Sequence, residues 1–270
     1  MPHRLACLLP ETRGGTGSSP IVCIVKRNRW RVLAVEGVAV AILLAACTTI
    51  VVRTLGSSSP APTTPLSASL AADGRSAATL QVLTGTPVLK IGVANLGGGT
   101  LVRVTTPAGG PAPELRVDGT DSGVIDLSAE NASGNASAVT VTLSSAVTWQ
   151  LDLGGGTKQT VVDLRGGRVT GVAFTAGSDV INLTLPRPQG SVLVKLAAGA
   201  SQLLLSRPTG VPVRLTAAAG AGEVTLDGKK HVGVPDGSVF TTPGWTSNAT
   251  GFDVDATAGA ASVAVTTWSS

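Results

Sequence analysis

Apolar runs recur in this chain at a nearly constant interval, and that interval limits the fold more than any other feature. In DVINLTLPRPQGSVLVKLAAGASQLLLSRPTGVPVRL, residues 179–215, short strand-like runs are separated by small-residue corners and by Arg-Pro-x-Gly. Alternation is clearest in VPVRLT, where Val211, Val213 and Leu215 fall on one side and Pro212, Arg214 and Thr216 on the other. One inward position per run gives Leu151, Val172, Val194 and Leu215, at intervals of 21, 22 and 21 residues. The companion runs give Leu164, Leu183, Leu205 and Leu226, at intervals of 19, 22 and 21. Two interleaved ladders with one shared period predict an all-β, single-stack β-solenoid-like domain with a period of about 21 residues. A Greek-key sandwich is the competing fold, but its turns need not keep a fixed interval.

The corners agree with this reading. GGGTK, TAGSD, AAGAS and AAAGAGE lie between first and second runs; RGG, RPQG, RPTG and DGKK follow the second. Glycine allows tight corners and proline removes a donor where no ladder partner is wanted. The weaker runs VLKIGV, TLVRV, ELRVDG and VIDLSA extend the pattern upstream less regularly. Aromatic residues make up only 3% of the chain, as a narrow interior of Val, Leu, Ile and Ala requires.

The excess of positive charge is confined to the N-terminal part. Residues 1–53 carry seven basic and two acidic groups, a net of +5; residues 54–270 carry 13 against 14, a net of −1. A β domain without a net basic excess gives no support to nucleic-acid binding. KRNRWR, residues 26–31, stands directly before the 21 apolar residues VLAVEGVAVAILLAACTTIVV, 32–52. As a helix this run is about 31 Å long, enough to cross a bilayer. The one-sided cations place the N-terminus in the cytoplasm and the rest outside the cell membrane, with Glu36 near the cytoplasmic interface.

The expected organisation is a cytoplasmic basic tail at 1–31, a transmembrane helix or lipoprotein signal at 32–52, a Pro/Ser/Thr linker at 53–69 and an extracytoplasmic β domain at 70–270. Translation starting at Val25 would leave residues 1–25 unmade. Within the apolar run, LLAAC fits a lipobox with Cys47 as the acylated residue. The run continues past it through Ile50, Val51 and Val52, and this length favours an uncleaved span. His3, Cys7 and Cys23 match no compact zinc spacing.

The segment VTVTLSSAVTWQLDLGGGTKQTVVDLRGGRVTGVAFTAGSDVINLTLPRPQG, with the later VTLDG and GSVFTTPGW, resembles the bacterial putative-adhesin domains of unknown function. The resemblance implies an extracytoplasmic β-solenoid-like domain attached to a membrane segment. Its motifs are structural, so it implies no catalytic residue.

Reactive residues are sparse. His231 is the one histidine after residue 54, and it reads as a polar-turn residue without an orienting partner. Asp152 and Asp163 are candidate paired carboxylates, as are Asp118 and Asp121 in DGTDSG, a candidate calcium loop too, but each lies beside glycine or an alternating strand, where Asp is also an ordinary turn or solvent-face residue. The two LGGG stretches, at 96–99 and 153–156, read as corners, since neither is followed by a phosphate-binding Lys-Ser/Thr. Arg165, Arg187 and Arg207 recur at one corner, at intervals of 22 and 20, and define a candidate stripe for an anionic wall polymer. Trp149 has inward parity; Trp245 and Trp268 lie outside the repeat and are expected to close the open end of the stack. The expected function is non-enzymatic cell-envelope adhesion, binding or scaffolding, without a cofactor, directed at a wall polymer or envelope protein. An enzyme acting on wall polysaccharide is the alternative.

Overall fold

The computed structural model describes residues 64–97, 99–110, 112–118, 124–128 and 138–269. The basic tail, the apolar run at 32–52, Cys47, Asp121 and most of the linker lie outside these residues. Among the described residues, all regular elements are strands, and no helix is long and apolar enough to cross a membrane.

In chain order the strands are β1 (Leu66–Ala71), β2 (Ala77–Val82), β3 (Thr86–Ala94), β4 (Thr100–Thr106), β5 (Glu114–Asp118) and β6 (Val124–Ser128). Next come β7 (Ala138–Ser144), β8 (Thr148–Leu153), β9 (Thr157–Asp163), β10 (Arg168–Phe174), β11 (Ser178–Thr184), β12 (Ser191–Leu196) and β13 (Ala200–Pro208). The last are β14 (Val213–Ala217), β15 (Ala221–Leu226), β16 (Lys229–Val234), β17 (Ser238–Thr241), β18 (Gly251–Ala256) and β19 (Ala260–Trp268). Strand β1 therefore begins inside the segment read as linker.

These strands form two mixed sheets that do not close on each other. The first runs β1-β4-β7-β3-β9-β11-β13-β19-β15-β16 and the second β17-β14-β18-β12-β10-β8-β2-β6-β5. Consecutive strands such as β8 and β9, or β10 and β11, place one member in each sheet and form a tier. Neighbouring tiers pair in parallel, while β1, β4, β5, β16 and β17 pair antiparallel at the outer ends. Alternation sends every second side chain inward, and the inward rows of both sheets merge in one apolar core.

The register corrects the expected ladders in two places. In the second sheet Leu151 pairs with Val172 and Val172 with Val194, but Val194 then pairs with Val254, which lies between it and Leu215. In the first sheet Leu183 pairs with Leu205, and Val265 lies between Leu205 and Leu226. The first member of that ladder is Val162, not Leu164, which removes the anomalous interval of 19. Order in space therefore departs from order in the chain. The β18/β19 tier is inserted between β12/β13 and β14/β15, and β2/β3 is inserted between β6/β7 and β8/β9.

The corners align as well. A Cβ on Gly155 would lie 2.1 Å from the carbonyl oxygen of Thr84, and one on Gly85 2.8 Å from that of Gly156, both too close to be accommodated. Small residues thus let the backbones of adjacent corners touch. Thr157 and Ser178, in the same register, share a hydrogen bond of 2.7 Å between hydroxyls.

Leu183 and Leu205 are both buried neighbours on adjacent tiers. Truncating either to Ala is expected to cost about 2–5 kcal/mol. Chemical denaturation of the single variants reads this directly; unchanged midpoints would contradict the shared ladder.

Candidate functional site

The outward positions of the sheets form in-register rows, short and polar in the first sheet and mixed in the second. In the first sheet Asp163, Thr184, Ser206 and Thr266 lie in register on neighbouring strands, and the Ser206 and Thr266 hydroxyls are 3.1 Å apart. In the second, Asp152, Ala173, Lys195, Asp255 and Thr216 form the corresponding row.

Asp152 and Asp163 do not converge. Asp152 lies on β8 between buried Leu151 and Leu153, so it projects outward from the second sheet, where it accepts from Thr175 Oγ1 at 3.1 Å. Asp163 projects from the first sheet, with the core between the two. The Arg165 guanidinium grips it at 2.6 Å and, mainly through that hydrogen bond, holds its carboxyl below the ordinary aspartate range. Asp118 ends the edge strand β5.

The three arginines occupy three different levels. Asp163 pairs with Thr184 and Thr184 with Ser206, so the next level aligns Leu164, Leu185 and Arg207. Matching backbone bonds, Leu164 N–H to Thr184 O and Leu185 N–H to Ser206 O, carry the register to that level. Arg165 follows one residue beyond that level, with its guanidinium 6.0 Å over the Trp268 ring, and Arg187 lies two residues beyond it in the loop after β11. The Arg-Pro-x-Gly motif slips by two residues against the ladder between its copies, because the motif repeats after 20 residues and the ladder after 22. Arg165 is paired with Asp163, Arg187 is exposed, and Arg207 is buried.

Arg207 is the feature that alignment on the motif concealed. Its side chain is 4% exposed; one terminal nitrogen donates to the Val211 carbonyl at 2.5 Å and the other to Asp227 Oδ2, also at 2.5 Å. Its Nε finds no acceptor among the described residues. Leu164 and Leu185, at the same level, are fully buried apolar side chains. Beside Arg207 the surface opens into a hollow of about 530 Å³, bounded by the β13–β14 crossing, the β15–β16 turn and the end of β19. The crossing exists because β14 lies one tier away, beyond β18 and β19. Asp227 and Gly228 have φ of 47° and 82°, as a tight Asp-Gly hairpin requires.

The aromatic residues divide. Trp149 is fully buried, as its parity predicts. Trp268 does not close an end: it finishes the interior strand β19, and its Nε1 donates to the Leu185 carbonyl at 3.2 Å. Trp245 lies near the β14–β17 end, with the Arg214 guanidinium 5.5 Å over its ring. His231 is an exposed residue of edge strand β16, not of a turn, and its ring packs at a 46° tilt against Phe240, 4.8 Å between ring centres. Lys229 and Lys230 beside it place charge on that outer edge, a common guard against further strand pairing.

No family model matches the sequence, and no curated protein matches it. A solved structure of a putative cell adhesion protein from Clostridium sporogenes ATCC 15579 is similar in fold, with a TM-score of 0.53 and 17% sequence identity. The match covers 76% of this chain and 99% of that one.

Proposed function

We propose that this chain is a membrane-tethered, extracytoplasmic module of non-enzymatic adhesion or binding, built as a β-solenoid with two interior tiers out of chain order. The observation that carries the reading is the in-register row of short polar side chains on the outer face of the first sheet, a firm hydrogen-bonding surface with little conformational freedom to lose on contact. The fold likeness to a cell adhesion protein favours the same reading. So does the placement of Asp152 and Asp163 on opposite sheets, since paired-carboxylate hydrolysis needs both groups on one bond. The cations of KRNRWR and the apolar run after them support a cytoplasmic N-terminus, with anchoring by the span itself or by lipid on Cys47.

The full chain is expected to co-sediment with purified bacterial wall sacculi without releasing soluble fragments. Failure to sediment would remove adhesion to wall polymer. Fragment release abolished by Asp152→Asn or Asp163→Asn would establish the enzyme alternative instead.

A further inference from the structure

We propose that the hollow beside Arg207 binds one neutral sugar unit of a glycan. This deepens the adhesion reading and rests on it only for where the sugar comes from.

The stack itself shows that Arg207 is not there for packing. Two tiers fill its level with leucine, Leu164 and Leu185, and an apolar residue would fit the third. A buried charge pair is seldom more stabilising than an apolar replacement, and departures from a local rule gather at functional positions. Arg207 departs from the rule where the surface opens.

The chemistry of the lining selects the ligand. The hollow is within the size range of small-ligand sites. Arg207 already meets its counter-charge in Asp227, so an anion would face the carboxylate and a cation the guanidinium. A neutral polyol meets both without a charge mismatch. Asp227 keeps 38% of its side chain exposed as an acceptor, the Thr267 hydroxyl can donate or accept, and the Thr209 hydroxyl, which donates to the Trp268 carbonyl at 3.1 Å, can accept. Val211 and Pro243 add apolar surface for the C–H face of a sugar ring.

The hollow owes its existence to the displaced tier order. Thr267 comes from β19, Asp227 from the turn after β15, and Arg207 from the end of β13, brought together because β19 lies between the other two.

The test uses the full chain in a non-glycosidic detergent, with a panel of methyl glycosides and N-acetylglucosamine, and inorganic sulfate as the anion control. Ligand-observed NMR and calorimetry are expected to show saturable binding of at least one neutral glycoside, insensitive to salt and to sulfate. Thr267→Phe, at an exposed position, is expected to fill the hollow and weaken binding by about tenfold or more with Tm unchanged. Asp227→Asn should do the same while keeping an oxygen for Arg207; should it not fold, Thr267→Phe decides alone. Absence of glycoside binding across the panel, binding of sulfate in its place, or undiminished binding in Thr267→Phe would overturn the proposal. Sacculus sedimentation that survives any of these leaves adhesion standing and removes only the sugar site.

Discussion

A chain ending at Thr250, without β18 and β19, is expected to lose cooperative folding altogether. These strands occupy an interior tier. Strand β18 pairs with β12 on one side and β14 on the other, and β19 likewise with β13 and β15. Their removal takes Phe252, Val254, Val263 and Val265 out of the core, all buried. Each such side chain contributes about 1.5–3 kcal/mol. Together they are comparable with the about 5–15 kcal/mol by which domains are stable. The cut also leaves four strands with an empty slot between them. Circular dichroism melts and dye binding to exposed apolar surface measure the outcome. A sharp transition at the wild-type temperature would show that the tier is not structurally interior.

Trp149→Ala is expected to cost about 3–5 kcal/mol, the most of any single truncation in the core. Trp149 is the largest fully buried side chain, and its indole N–H donates to the Ser144 carbonyl at 2.9 Å. Ser144 ends β7, and the segment that follows must pass β2 and β3 before β8 begins. The side chain therefore fills the core and holds the crossing. Trp149→Phe separates the two roles: it keeps most of the packing, leaves the Ser144 carbonyl with only the Val147 N–H at 3.4 Å, and should cost about 0.5–1.5 kcal/mol for the lost bond. Equal losses in the two variants would mean that the ring's volume is irrelevant.

Strand content, the inward rows and the small-residue corners were legible because each depends on neighbours a few residues apart. The pairing of Leu183 with Leu205 was legible too, since those tiers are adjacent both in the chain and in space. Tier order was not. Nothing in the local pattern of Val254 or Val265 distinguishes a strand that extends a stack from one that enters it, because both need the same alternation and the same corners. The end role expected of Trp268 failed for this reason. Arg165, Arg187 and Arg207 lie off a single row for another reason: their motif repeats at one interval, while the backbone is aligned by the ladder at another. Under the ladder's interval, Leu164, Leu185 and Arg207 form a column, and its one charged member was visible in the sequence to a reader using that register. The hollow was beyond reach, since β13, β15 and β19 meet there only through the altered tier order.

That order also governs when the domain becomes complete during its synthesis. Residues leave the ribosome at about 5–20 per second, and β12 to β15 emerge before β18 and β19. In the interval β12 and β13 face β14 and β15 across a vacant position, with unpaired N–H and C=O groups on both sides that another chain can capture. Residues 251–268 thus act as a keystone: an interrupted chain is an open-edged species, recognisable to proteases, rather than a shorter working domain.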